Sequence, residues 1–143
     1  IDLAFQTKLS RSKDTLKIVL KYHPECKKII TDDRMIERNY GKLQGMSHYE
    51  FVKKNGVKLY DEYHRSYDKA PPKGESVRMV EKRVRDFIKD LLKLIKKERI
   101  NVAISAHGNS IRPFRRYFEK LTVEQMMIYY NDYDNCWIYE IEC

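Results

Sequence analysis

The chain has 143 residues, of which 42% are hydrophobic, and it carries a formal net charge of +8 at pH 7. This length predicts one domain with its own core, and the sequence contains no apolar run long enough to span a membrane. The excess of Lys and Arg favours anionic partners, namely phosphorylated metabolites, nucleic acid or a membrane surface. Three cysteines without metal-ligand spacing favour a reducing, cytoplasmic location over a disulfide framework.

Strand and helix patterns alternate in the first third of the chain. An apolar run predicts a strand over residues 1–7, and a one-sided apolar pattern predicts a helix over residues 10–22. Residues 28–31 predict a second, short strand. Residues 32–45 are rich in charge, contain two glycines and have no clear period. They are therefore predicted to form a loop, the kind of segment that commonly carries function.

The middle of the chain is predicted to be helical. Ser47 and Glu50 form a capping-box pattern that begins one helix, and a second helix is predicted over residues 57–67. After a break that contains Pro and Gly, an apolar stripe at spacings of three and four predicts a long helix over residues 75–99. Glu75 is expected in its first turn, where a carboxylate complements the helix dipole.

The end of the chain returns to alternating patterns. A second capping box, at Thr122 and Gln125, predicts a helix that ends near residue 130, followed by a turn over residues 131–135. The string CWIYEIE alternates apolar and polar residues and predicts a half-buried final strand over residues 136–142. Strands alternating with helices predict an α/β sheet covered by helices on both faces.

One strand-to-helix junction is the first candidate site. A buried strand over residues 102–105 runs through His107 and Gly108 into a helix that begins at Asn109 or Ser110, both good N-caps. Gly108 allows a sharp turn or the close approach of a ligand. Free amides and the helix dipole make this junction a candidate anion site around His107. The alternative is that His107 only caps the strand and packs in a turn.

Two other groups repeat the chemistry of an anion site. Arg11 lies in the first turn of the helix that follows the first strand, where its forked guanidinium suits phosphate, unless it is a surface arginine. Glu37, Arg38 and Tyr40 supply a carboxylate, a cation and a phenol in the loop. A carboxylate exchanges protons near neutral pH only where burial or negative charge, such as a bound phosphate, raises its pKa. The alternative is a solvated turn.

Four strings give the chain a family resemblance. ERNYGKLQG (37–45), HRSYDKAPP (64–72), GES (74–76) and AHGNSIR (106–112) occur in the order seen in cofactor-dependent phosphoglycerate mutases, which belong to the histidine phosphatase superfamily. The opening IDLAFQTKLSRSKDTL also resembles that family's second strand and the helix after it. The resemblance covers essentially the whole chain. It implies a single mutase-like domain over residues 1–143, with a doubly wound, mostly parallel α/β sheet.

The resemblance also implies an activity. Such enzymes interconvert 3-phosphoglycerate and 2-phosphoglycerate through a phosphohistidine, in glycolysis and gluconeogenesis, with 2,3-bisphosphoglycerate as phosphoryl primer and no metal. Under it, Glu37 is the general acid/base, His107 helps to hold the transferring phosphoryl group, and Arg11 binds phosphate. The positions that match substrate contacts are Arg38, Tyr40, His48, Arg65, Gly108 and Asn109.

The chain departs from the family pattern in three places. The family's nucleophilic His lies in an Arg-His-Gly string on its first strand, and this string does not occur here. We therefore expect that N-terminal sequence, with that strand, is missing; a complete chain would instead be a non-catalytic module that binds anions or a partner. His48 stands where the family has a Lys, and His64 replaces one of two adjacent arginines, which weakens the expected cationic lining for bisphosphoglycerate.

A phosphatase of the same superfamily is the second hypothesis. The connection over residues 68–74 is shorter than in typical mutases, which predicts a pocket more open to water, and water can accept the phosphoryl group. Under either hypothesis the partner is a phosphorylated small molecule rather than nucleic acid or a membrane, because the basic residues are spread along the chain and no aromatic-basic RNA motif is present. The family resemblance also suggests a homo-oligomer.

Overall fold

A short parallel sheet organises the structure, a computed structural model that describes residues 1–129, 131 and 135–142. Its strands are β1 (Leu3–Gln6), β2 (Lys28–Thr31) and β3 (Val102–Ile104), in the order β2-β1-β3. Leu3 of β1 lies opposite Lys28 on one side and Val102 on the other. Parallel neighbours need crossover connections, and here helices supply them.

The helices alternate with these strands as the sequence predicts. Their bounds are α1 Ser10–Val19, α2 His48–Asn55, α3 Val57–Arg65, α4 Val77–Glu98, α5 Gly108–Glu119 and α6 Val123–Ile128. Short 3₁₀ turns follow α1 and shape the loop after β2, at Leu20–Tyr22, Asp33–Met35 and Gly41–Leu43. The expected α/β class with a parallel sheet is therefore confirmed. No helix among the described residues is long and apolar enough to cross a membrane.

The core lies between the sheet and the long helix α4. The apolar stripe of α4 is buried at Val80, Val84, Phe87, Ile88 and Leu91, as the three-and-four spacing predicts. It packs on β1, where the ring of Phe5 meets Phe87 edge-on with centroids 5.1 Å apart. Burying side chains of this size stabilises the fold by about 1.5–3 kcal/mol each, so this contact fixes α4 against the central strand.

The start of α4 corrects one prediction. Glu75 lies before the helix rather than in its first turn, because Ser76 is the N-cap and accepts a hydrogen bond from the backbone amide of Met79. Freed from the helix, the Glu75 carboxylate accepts from Arg83 Nε at 2.9 Å and from the backbone amide of Asn39 at 2.9 Å. It therefore ties the loop after β2 to α4.

The final predicted strand does not form. Residues 136–142 are not part of the sheet, although their side chains alternate, with Trp137, Tyr139 and Ile141 half-buried. Tyr139 stacks on Phe118 with ring centroids 4.8 Å apart and donates to Glu119 Oε1 at 2.6 Å. Side-chain alternation predicts which residues face the protein, but it does not by itself make a strand, and side chains of α5 contact this segment. The predicted turn at 131–135 lies mostly outside the described residues.

Candidate active site

Two helix N-termini converge where neighbouring strands end. β1 and β3 are parallel neighbours, so their carboxyl ends meet at one edge of the sheet, and each leads into a helix, α1 and α5 respectively. Arg11 lies in the first turn of α1, as predicted. The N-cap of α5 is His107, not Asn109 or Ser110 as the sequence suggested. Ser110 acts from inside the helix instead, because its Oγ accepts the His107 amide at 3.2 Å.

His107 is at the centre of this edge. It is only 5% exposed, and both of its ring nitrogens contact residues of the junction between β1 and α1. Nδ1 accepts from Arg11 Nε at 3.2 Å, and Nε2 lies 2.8 Å from the hydroxyl of Thr7. Because an arginine only donates, Nδ1 must carry a lone pair, which places the ring proton on Nε2. His107 therefore presents an N–H donor at the carboxyl end of β1.

The charge state of His107 follows from its surroundings. Burial lowers its pKa below the usual 6.5, and the guanidinium of Arg11 lowers this pKa further, while Glu37 opposes both. The imidazole is consequently neutral at physiological pH in this structure. The neutral N–H donor of His107 beside the guanidinium of Arg11 is suited to binding the oxygens of an anionic group. A protonated imidazole would place two cations side by side, and their repulsion would have to be offset by an added negative charge.

Glu37 reaches the same place from the loop after β2. Its Oε1 accepts from the backbone amide of Asn109 at 3.3 Å and from the amide of Arg38 at 2.8 Å. The 3₁₀ turn before it is fixed to α5, because Ser110 Oγ donates to the carbonyl of Met35 at 2.7 Å. The structure thus brings Glu37, His107 and Arg11 together across three separate segments, and a carboxylate lies beside the candidate anion site.

Arg38 occupies a different position from the one expected of a free phosphate donor. It is 2% exposed, and its guanidinium donates to the carbonyls of Glu75 at 2.7 Å and Tyr63 at 2.8 Å. Burial lowers its pKa, which the nearby tyrosine and carboxylates partly offset. Its Nη1 is buried without a hydrogen-bond partner among the described residues. Arg38 therefore anchors the loop to α3 and to the segment before α4, with one donor still available.

Tyr40 joins that anchor to α5. Its ring lies over the Arg38 guanidinium, with the central carbon 4.9 Å from the ring centroid, and its hydroxyl accepts from Asn109 Nδ2 at 3.4 Å. Gly108 opens α5, and its carbonyl accepts from Asn131 Nδ2 at 3.0 Å. Tyr40, Gly108 and Asn109 are thus placed beside Glu37 and His107, as a set of substrate contacts requires.

His48 lines a cavity next to this site. The cavity has a volume of about 280 Å³, and its wall consists of Tyr40, His48, Phe51, Tyr60 and His64 together with residues 43–47; we call it the imidazole cavity. Ring centroids of His48 and His64 are 5.6 Å apart. Tyr40 belongs to both the cavity wall and the His107 site.

Arg65 is a predicted substrate contact that the structure leaves on the surface, away from the site. Its side chain is 80% exposed, and it forms an ion pair within α3 with Asp61 at 3.1 Å. In the described part of the chain, no hydrogen bond or ion pair connects Arg65 to His107, Glu37 or Arg11. In this conformation its guanidinium faces solvent.

Sequence reasoning missed the buried hydroxyls that hold the junctions together. Ser12 Oγ accepts the amide of Thr7 at 3.0 Å and donates to the carbonyl of Ser105 at 2.7 Å, and Ser105 Oγ donates back to the carbonyl of Ser12 at 2.9 Å. These bonds link the ends of β1 and β3. Small hydroxyl residues at both strand ends were the available signal, but only the fold pairs them.

Comparison with known proteins identifies the family. The family model of the histidine phosphatase superfamily, branch 1, matches residues 1–143. The chain belongs to this superfamily. It is 36% identical over 125 residues to a protein from Cytophaga hutchinsonii named 2,3-bisphosphoglycerate-dependent phosphoglycerate mutase, covering 87% of this chain and 59% of the relative. A protein from Schizosaccharomyces pombe named phosphoglycerate mutase is 36% identical over 129 residues, covering 88% and 60%. The family resemblance predicted from the sequence is thereby confirmed.

Solved structures agree on the fold of the superfamily. A protein titled mycobacterial hydrolase 1 superposes with a TM-score of 0.74 at 22% identity, covering 87% of this chain and 59% of its own. A mycobacterial glucosyl-3-phosphoglycerate phosphatase superposes with a TM-score of 0.72 at 23% identity, covering 87% and 61%. The chain spans about three-fifths of the length of the relatives it matches.

Proposed function

We propose that the protein containing this chain interconverts 3-phosphoglycerate and 2-phosphoglycerate through a phosphohistidine, as a phosphoglycerate mutase. The observation that carries this proposal is the convergence of His107, Arg11 and Glu37 at two helix N-termini. The names of the relatives that are about 36% identical support the same reaction. Residues 1–143 would form one mutase-like domain that acts on a phosphorylated small molecule in the cytoplasm.

The residues of this chain would hold the phosphoryl group. The Nε2 proton of His107 is engaged by Thr7 in the free site at 2.8 Å, and an oxygen of the phosphoryl group would take the place of that hydroxyl. Arg11 would contribute a forked donor, and the first amides of α5 would add the positive end of the helix dipole. Donors that are already in place stabilise charge in the transition state without reorganisation.

Glu37 would move the proton. Its carboxylate lies beside the first turn of α5, where the acceptor hydroxyl of the glycerate would approach the phosphoryl group. A hydroxyl becomes an effective nucleophile when a neighbouring base removes its proton, and the same carboxylic acid can return the proton to the leaving oxygen. Negative charge on a bound phosphoryl group favours the protonated carboxyl, and thus the acid form.

The site fits 2,3-bisphosphoglycerate as the primer. Arg11 and His107 would receive one phosphate, and the unpartnered Nη1 of Arg38 leaves a cationic donor on the side of Tyr40. When bound, this molecule supplies the phosphoryl group that charges the enzyme. Tyr40, His48 and Asn109 would orient the remainder of the primer without a metal.

A phosphatase is the second candidate, and the imidazole cavity favours it. None of the residues that line this cavity is a Lys or an Arg, so a second anionic group finds no permanent cation there. A weakly held acceptor leaves room for water to take the phosphoryl group instead.

An activity assay separates the two candidates. The protein expressed from its complete coding sequence is given 3-phosphoglycerate with and without 2,3-bisphosphoglycerate, and both 2-phosphoglycerate and inorganic phosphate are measured. Formation of 2-phosphoglycerate that depends on the primer is the expected result. Release of phosphate without 2-phosphoglycerate would establish the phosphatase, and neither product would refute phosphoryl transfer with these substrates.

A further inference from the structure

The imidazole cavity contains no charge that is independent of pH. Its ionisable wall residues are two tyrosines and two histidines, and none of its lining residues is Lys, Arg, Asp or Glu. Burial raises the pKa of Tyr60, so this phenol stays neutral at physiological pH. Protonation of an imidazole is therefore the way for the wall itself to become positive.

The two imidazoles are arranged to act on the same guest. His48 begins α2 and His64 lies near the end of α3, and their ring centroids are 5.6 Å apart. Tyr60 contacts both rings, at 4.9 Å from His48 and in a stack at 4.1 Å from His64. Tyr40 stacks on His64 at 5.1 Å. An anion that enters the cavity therefore meets both histidines at once.

The surroundings keep His64 neutral until an anion arrives. Burial lowers its pKa below 6.5, and the proximity of His48 and of Arg38 lowers this pKa further. Asp61, on the same helix, opposes these effects but also pairs with Arg65. Glu50, on α2, is engaged by Ser47 in the capping box. The free cavity consequently resists protonation, and a bound anion would reverse the balance.

The cavity is connected to the phosphoryl site through one residue. Tyr40 forms part of its wall, and the hydroxyl of Tyr40 accepts from Asn109, whose backbone amide in turn donates to Glu37. A ligand that places one phosphoryl group at His107 therefore extends past Tyr40 toward His48 and His64. The group that reaches the cavity is the second anionic group of such a ligand.

Resting on the mutase function proposed above, we propose that the cavity binds this second anionic group together with a proton. Either His48 or His64 takes up the proton from solvent as a doubly anionic ligand enters, and releases it when the ligand leaves. Affinity for doubly anionic ligands then rises more steeply as pH falls than affinity for inorganic phosphate, because inorganic phosphate needs only the His107 site. The histidine pair thereby makes the choice between primer and simple phosphate depend on pH.

Calorimetry tests this coupling directly. Binding of 2,3-bisphosphoglycerate and of inorganic phosphate to the chain is measured at about pH 6 and about pH 8, in two buffers with different ionisation enthalpies. The ratio of the affinity for 2,3-bisphosphoglycerate to the affinity for inorganic phosphate should fall by about tenfold or more with rising pH. Binding of 2,3-bisphosphoglycerate should also take up more protons than binding of inorganic phosphate. Ionisation of the ligand's own phosphates, whose second pKa is about 6, makes the ligand more anionic in the same interval and works against this fall.

Substitutions locate the proton. The double variant His48→Gln with His64→Gln should lose both the pH dependence of the ratio and the proton uptake that exceeds the uptake on inorganic phosphate binding. His48→Lys supplies a permanent cation, so its ratio should stay high at about pH 8. His23→Gln, at a partly exposed histidine that pairs with Glu25 and does not line the cavity, is the matched control and should behave like the wild type. Far-ultraviolet circular dichroism checks that each variant is folded.

Three outcomes would overturn the proposal. They are a constant affinity ratio in the wild-type chain, proton uptake there that is no larger with 2,3-bisphosphoglycerate than with inorganic phosphate, and an unchanged pH dependence in the double Gln variant. The first two need no variant, so the proposal can fail even if a substitution disturbs folding. If the wild-type chain does not bind inorganic phosphate, that result would instead refute the His107 site and with it the proposed function.

Discussion

At the scale of single residues, the site depends on a neutral imidazole whose two ring nitrogens are both held by the junction between β1 and α1. Arg11 fixes the lone pair of His107 at Nδ1, and Thr7 occupies its Nε2 proton. Glu37 is held by the amide of Asn109 in the first turn of α5, so the proposed acid/base lies beside the imidazole that is proposed to hold the phosphoryl group. Each role can be removed by a single substitution that preserves side-chain size.

His107→Gln and Glu37→Gln should each lower turnover of the full-length protein by about 100-fold or more, because they remove a transition-state donor and the proton carrier respectively. Steady-state assays with 3-phosphoglycerate and the primer measure this. His23→Gln serves as the control for replacing a histidine elsewhere. Turnover within about twofold of the wild type in either site variant would contradict these roles.

Substitutions of Arg38, in the loop, and of Arg65, in α3, should differ sharply in their effect on the free energy of unfolding. Arg38→Met removes the donors of several backbone carbonyls and should lower the free energy of unfolding by about 3 kcal/mol. Arg65→Ala removes only an exposed ion pair and should change the free energy of unfolding by less than about 0.5 kcal/mol. Urea denaturation measures both. Equal effects would show that Arg38 does not anchor the loop.

At the scale of elements, a glycine contact fixes the loop that carries Glu37 and Tyr40. Gly41 has φ 56°, and a Cβ there would come within 2.2 Å of the Pro72 carbonyl oxygen. Gly45 also has a positive φ, of 79°, but an added Cβ meets nothing within 4 Å. Backbone strain is therefore common to both positions, while the steric clash is specific to Gly41.

Replacing these glycines separates strain from clash. Gly45→Ala should cost about 1 kcal/mol of unfolding free energy, the ordinary penalty of a left-handed residue. Gly41→Ala should cost at least about 2 kcal/mol more, since the segment at Pro72 must move. Thermal and urea unfolding provide the comparison. Similar costs at the two glycines would mean that the approach of the two segments is not tight.

Elements with a strong local signal were predictable from sequence. The stripe of α4 has a repeating period, and the capping boxes of α2 and α6 form as their patterns indicate. The prediction of a strand over residues 136–142 was wrong, because the alternation of apolar and polar residues determines which side chains are buried and does not by itself make a strand. The start of α5 failed for a related reason: Ser110 was predicted as an N-cap, but its hydroxyl is used by Met35 and His107.

At the scale of the whole molecule, two histidines with lowered pKa link stability to pH. The pKa values of His107 and His64 lie below 6.5 in the folded chain. Between the folded and unfolded pKa values the unfolded chain binds more protons, so stability rises with pH in that interval. The contribution of these residues is complete above about pH 7 and is lost as pH falls below the unfolded value.

Unfolding experiments across this interval should show the coupling. The free energy of unfolding of the wild-type chain should fall between about pH 7 and about pH 5, and the double variant His64→Gln with His107→Gln should show a smaller fall. His23→Gln is again the control. A fall of equal size in the double variant would assign the pH dependence to other groups.

The assembled site could be predicted only in part. Arg11 and His107 follow strands that the sequence reveals, and the rule that strand ends gather at one edge brings them together. The contact between Thr7 and His107 spans 100 positions and depends on strand order, which no local pattern specifies. The burial of Arg38 and the exposure of Arg65 depend likewise on how α3 packs against the loop.

The central claim is that His107 and Arg11 form the phosphoryl site, and phosphate titration followed by imidazole NMR tests it most directly. Inorganic phosphate should displace the Thr7 hydroxyl, shift the His107 ring resonances and raise the pKa of His107, because an added anion stabilises the imidazolium. Arg11→Ala should weaken these effects about tenfold or more. This claim would be contradicted if saturating phosphate changed neither the ring resonances of His107 nor its pKa.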